Sequence, residues 1–99
     1  MNWDELVEAV TDRHPDIAPG KMFGAPCLKR ENGKVVACLW KDGDITVKLT
    51  DESERSAALT LPGADLFDPG MGRKMREWVL VPAAHAGEWE RLVEAAIAS

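Results

Sequence analysis

Tyrosine is absent from this chain, and cysteine, phenylalanine and histidine appear only twice each. A secreted domain of this size normally leans on several disulfides, so Cys27 and Cys38 alone do not supply a covalent framework. Neither belongs to a Cys-x-x-Cys pair, and His14 and His85 do not stand at co-ligand spacing from them. A metal site is therefore not expected, and both thiols read as reduced packing groups in a cytoplasmic protein. No apolar run approaches the ~20 residues of a membrane-spanning helix. Residues 1–12 hold Asp4, Glu5 and Glu8 and lack an apolar core, so they do not read as an export leader. Positive charge is also in deficit. Seventeen acidic residues against 12 basic ones leave a formal charge of -5, the sign opposite to that of a dedicated nucleic-acid binder.

What is present describes a single domain over residues 1–99 with an ordinary globular composition, 45% apolar and 29% charged. Asn2 with Glu5 makes a capping box, and Trp3, Leu6, Val7 and Val10 follow at helical spacing, which predicts a helix ending near His14 ahead of Pro15. Pro19 and Gly20 read as loop. Residues 21–50 read as a three-stranded meander: Lys21 to Arg30, Val35 to Trp40, and an alternating strand from Ile45 to Leu49 with one wet face. The joints are two type I′ turns, Asn32-Gly33 and Asp42-Gly43. Asp51 and Glu54 form a second capping box on a short helix stopped by Pro62-Gly63. A brief strand around Asp65–Phe67 and a last strand from Met75 to Val81 precede a final helix marked by Trp89, Leu92, Val93, Ala96 and Ile97. The fold class is α+β: an antiparallel sheet with helices, in the order helix, three strands, helix, one or two strands, helix.

Few residues carry chemistry. The run Gly70-Met71-Gly72-Arg73-Lys74 can converge backbone amides on an anion, with Arg73 and Lys74 adding positive charge, so Gly70, Gly72, Arg73 and Lys74 are candidate anion ligands. The bland alternative is a flexible connection. Basic residues cluster on the meander, at Lys21, Lys29, Arg30, Lys34, Lys41 and Lys48, and interleaved with Phe23 and Trp40 they could form a nucleic-acid face; Lys21, Phe23, Gly24, Lys29, Arg30, Lys34 and Trp40 are the candidate interaction face. The bland alternative is edge-strand lysines that discourage aggregation. A catalytic thiol needs a histidine near Cys27 or Cys38. Cys27, beside Pro26 in a strand expected at the sheet edge, is the better placed of the two. No residue is assigned a catalytic role, and no cofactor is expected.

The segment Lys21-Met22-Phe23-Gly24-Ala25 resembles the Met-Phe-Gly-Gly signature of the TfoX (Sxy) N-terminal-domain family, with Ala25 in place of the second glycine. The hairpin Asn32-Gly33-Lys34, the strand Ile45 to Leu49, the run Gly72-Arg73-Lys74-Met75 and the ending Trp78-Val79-Leu80-Val81-Pro82 follow in the family's order. The similarity spans about residues 3–97. It implies a fold like that of secretion chaperones and a relation to bacterial competence regulators, which act as transcriptional coactivators. It brings no catalytic residue with it. The expected function is therefore a non-enzymatic regulatory or protein-interaction domain with an unidentified protein partner, and an edge strand or docking helices offer routes to a homodimer. The alternatives are direct nucleic-acid binding, disfavoured by net charge, and an anion or small-molecule site at Gly70–Lys74.

Overall fold

Asn2 and Glu5 exchange hydrogen bonds at the start of the first helix. The Glu5 amide donates to the Asn2 side chain at 2.9 Å, and the Asn2 amide donates to the Glu5 carboxylate at 2.9 Å. The box expected from sequence is complete, and helix α1 runs Trp3–Arg13 with Leu6 and Val10 buried. His14 ends it, one residue before Pro15. The computed structural model describes every residue except Phe23, Met71 and Ser99.

Four strands follow, not three: β1 (Ala18–Met22), β2 (Ala25–Lys29), β3 (Val35–Leu39) and β4 (Ile45–Lys48). The segment from Lys21 to Arg30, expected as one strand, is split by a tight turn at Gly24. That residue has φ 80, a conformation glycine adopts freely. The strand upstream takes in Pro19 and Gly20, expected as loop. It can hold a proline because β1 is an outer strand, where one missing donor is tolerated. The Asn32-Gly33 joint also differs from expectation. Only Gly33 has positive φ, the Gly33 amide closes a turn onto Arg30, and the Arg30 amide pairs with Lys34. The loop is therefore one residue longer than a type I′ hairpin, and the β2–β3 register shifts between Leu28 and Lys29. At the second joint Asp42 and Gly43 both have positive φ, as a type I′ turn demands.

Helix α2 (Glu52–Ala58), strands β5 (Asp65–Leu66) and β6 (Trp78–Val81), a 3-10 segment Ala83–Glu88 and helix α3 (Trp89–Ala98) complete the chain. Asp51 caps α2 by accepting from the Glu54 amide, but Glu54 does not return the bond, so this box is half made. The described strands form one antiparallel sheet in the order β1-β2-β3-β4-β6-β5.

Side chains alternate across a sheet, and this alternation separates two environments. Leu28, Ala37, Val47 and Val79 stand on one rung across β2, β3, β4 and β6. They pack with Leu6, Val10, Ala58, Leu92, Val93 and Ala96 of the three helices in a single core. The neighbouring rung, Gly20, Cys27, Cys38, Thr46 and Leu80, points the other way. No helix joins the core from that side among the described residues. Thr46, expected on a wet face, is nevertheless only 2% exposed. Something other than a helix covers it.

Candidate functional site

The cover is the segment between β5 and β6. The Phe67 amide donates to the Trp78 carbonyl at 2.8 Å, and the Met75 amide donates back to the Phe67 carbonyl at 2.7 Å. These bonds fold the described residues between Phe67 and Trp78 over the end of the sheet. The result is an apolar cleft of about 540 Å³. Cys38 and Thr46 form its floor, Trp40 and Phe67 one wall, and Met75 and Trp78 another. The Trp40 and Phe67 rings meet edge to face with centroids 4.7 Å apart, a favoured aromatic geometry that stiffens the wall. Lys41 lies over the Trp40 ring at 5.4 Å. Trp40 is half-buried and lines the opening.

The floor is small by composition. Cysteine and threonine on this rung leave room that leucine or phenylalanine would fill. Met75 is one of two large apolar side chains of the described residues that are clearly exposed, at 38%. It stands at the mouth of the cleft.

Beside the cleft lies a second depression of about 730 Å³, sharing Pro69, Met75 and Trp78 with it. Its lining is basic: Lys48, Arg73, Lys74 and Arg76, with Glu77 as the acidic member. Lys74 is committed to Asp65, its ammonium 2.6 Å from the carboxylate. That hydrogen bond, with the Leu66 amide as a second donor, holds the Asp65 carboxyl below its usual range. Among the described residues Lys48, Arg73 and Arg76 enter no ion pair.

The anion loop expected at Gly70–Lys74 is therefore partly spent on internal bonds. The Gly70 amide donates to Asp68 at 2.8 Å, and Lys74 holds Asp65. Gly70 and Gly72 both have positive φ, so the glycines serve the turn, and Arg73 is the cation of the run that faces the depression unpaired. Met71 lies outside the described residues.

The candidate interaction face on the meander does not converge. Lys21 pairs with Pro26, on the rung set of Leu28 and the helices, whereas Lys29 shares the parity of Cys27 on the opposite face. Lys34 sits on the exposed hairpin, and Gly24 is exposed at the β1–β2 turn. Phe23 lies outside the described residues. Arg30 is drawn inward: its guanidinium donates to the carbonyls of Ala96 at 3.0 Å and Ile97 at 3.1 Å. It caps the C-terminus of α3, where the unsatisfied carbonyls and the helix dipole both favour a cation. Arg30→Ala is expected to cost about 1–2 kcal/mol and to loosen the last turn of α3 first. Amide exchange should quicken at the end of α3 ahead of the sheet. Unchanged protection there would show that the cap contributes nothing.

The remaining candidates are structural. His14 Nε2 donates to Glu94 at 2.8 Å and, with the Arg13–Glu90 pair at 2.7 Å, ties the end of α1 to α3. His85 Nε2 donates to the Pro62 carbonyl at 2.7 Å. Cys27 is not on an edge strand: β1 lies outside it, and its residue is fully buried. Burial raises its thiol pKa, opposed by Lys29. Burial pushes Cys38 up to about 12, with the neighbouring Cys27 adding to the shift and the Thr46 hydroxyl opposing it. Both thiols are thus neutral at physiological pH. Among the described residues no three His, Cys, Asp or Glu side chains come together as metal ligands, and no helix is long and apolar enough to cross a membrane.

The cleft was only half visible in the sequence. Trp40 was singled out, but Phe67, Met75 and Trp78 looked like strand and core residues. The free sheet edges also differ from what pairing with another copy would need. β5 has two residues, and β1 carries Pro19, which offers no amide, and Lys21. No family profile matches the chain, and neither the curated proteins nor the solved structures contain a match.

Proposed function

We propose that the chain is a non-enzymatic interaction module that receives part of a partner protein on the face of its sheet opposite the helices. The observation that carries this is the aromatic-walled cleft over Cys38 and Thr46, an apolar concavity with a stiff wall and an exposed methionine at its mouth. Such concave apolar sites rimmed by a few polar groups are where ligands dock. The commitment of both histidines to structural bonds and the neutral state of both thiols support binding over catalysis. The motif order similar to the TfoX N-terminal domains supports a regulatory role, related to transcriptional coactivation in bacterial competence. Two reduced thiols facing one another across β2 and β3 suit the cytoplasm.

A photoreactive benzoylphenylalanine placed at Met75 tests the reading in living cells, with the same group at the exposed Asp12 of α1 as reference. A discrete protein adduct from position 75, mapped to one segment of one partner and absent from position 12, is the expected outcome. No adduct from position 75, or equal adducts from both, would sink it.

A further inference from the structure

The chemistry of the cleft's surroundings narrows what the partner presents. This inference rests on the docking face just proposed. The cleft itself is apolar and wide enough for one large side chain with its neighbouring backbone. The depression that continues from it past Pro69, Met75 and Trp78 is basic. The two are one surface with two characters. On a chain of net charge -5, a corner holding Lys48, Arg73 and Arg76, which enter no ion pair among the described residues, is a local reversal of sign, and Glu77 is the acidic residue among its lining. Arg73 and Arg76 are exposed and Lys48 half-buried, and accessible cations left unpaired in an acidic protein mark where an opposite charge is received.

We propose that this surface recognises an acidic linear peptide segment of a partner protein. One bulky apolar side chain enters between the Trp40–Phe67 wall and the Met75–Trp78 wall, and flanking carboxylates lie on Lys48, Arg73 and Arg76. The apolar anchor supplies desolvated contact in the pocket, as buried aromatic anchors do at protein interfaces. The rim cations supply orientation and a fast, salt-sensitive encounter. A peptide fits better than a nucleic acid because three unpaired cations match a short run of carboxylates, while the overall acidity repels a long polyanion. It fits better than a single-headed amphiphile because several cations line the second depression and none lines the apolar cleft itself.

The test uses the whole chain and a fluorescein-labelled peptide of about eight residues, a leucine-phenylalanine pair flanked by aspartate and glutamate. Anisotropy should report micromolar binding, weakened at least about tenfold when Phe and Leu become Ser, or when the acids become amides. Raising salt from about 50 to about 300 mM should weaken it as well. Lys48→Glu combined with Arg76→Glu should lower affinity by about tenfold or more while the amide spectrum stays that of the folded protein. Met75→Glu, at an exposed position, should do the same by placing a carboxylate at the mouth. Equal binding of the amide peptide, unchanged binding by both variants, or no binding below millimolar would overturn the proposal. So would displacement of the peptide by dodecanoate or by single-stranded DNA at lower concentration. If the position 75 adduct forms and the peptide does not bind, the acidic-peptide class alone is wrong. If neither is seen, the docking face fails too.

Discussion

Leu92→Ala should lower the unfolding free energy by about 2–5 kcal/mol, the range for removing a buried leucine and leaving part of its volume empty. Leu92 is fully buried on α3 and belongs to the cluster that joins Leu6 and Val10 of α1 to Val47 and Val79 of the sheet. It has little freedom to collapse, because helices pack on one side and strands on the other. A domain of this size has about 5–15 kcal/mol of stability in total, so the loss is a large share of it. At about 4–8 °C per kcal/mol the melting temperature falls by roughly 10 °C or more. Urea unfolding with an unchanged slope is the measurement. Met75→Ala, on the far face and exposed, is the matched contrast and should shift the midpoint little. A Leu92→Ala protein within about 0.5 kcal/mol of the parent would mean that α3 is not seated on the sheet as described.

Both thiols should be nearly inert toward Ellman's reagent at pH 8 until the protein unfolds. Only the thiolate attacks. With Cys38 pushed up to about 12 from an ordinary 9.0, its thiolate is roughly a thousandfold scarcer than in the unfolded chain. Full burial of Cys27 blocks access to the second. In urea the two should become reactive together, at the midpoint of global unfolding. The linkage has a definite sign. A thiol whose pKa is raised by folding favours the folded state below about 9.0 and loses that contribution as pH rises toward 12. Stability should therefore fall across that alkaline window, and Cys38→Ser should shift or flatten the decline. A fast-reacting thiol in the folded protein at pH 8 would show that the rung of Cys27 and Cys38 is open to solvent.

The helices and the second hairpin turn could be read from sequence because their signals are local. Asn2 and Glu5 meet across three residues, and Asp42-Gly43 needs nothing beyond itself to adopt positive φ. The β1–β2 break was missed because Gly24 interrupts what otherwise passes as a continuous strand, and because Pro19 hides an outer strand that tolerates it. Thr46 was misjudged for a different reason. Its alternation with Ile45 and Val47 says which way it points, and only the folding back of the described residues between Phe67 and Trp78 says what lies there. That is a contact between distant parts of the chain, with no local signature. The same holds for Arg30, whose partners at Ala96 and Ile97 are more than sixty residues away. The basic face expected around it dissolves once strand parity is applied, and the cations that remain together are Lys48, Arg73 and Arg76.

The alternating rungs of β2, β3 and β4 let one stretch of chain carry two independent vocabularies. The rung of Leu28, Ala37 and Val47 speaks to the helices and decides whether the domain folds. The rung of Cys38 and Thr46 lines the cleft and sets how deep it is. A single exchange among those small floor residues can reshape the cleft without disturbing the architecture beneath. Two chains with this same frame could therefore differ in the shape of the cleft by edits one methyl group in size.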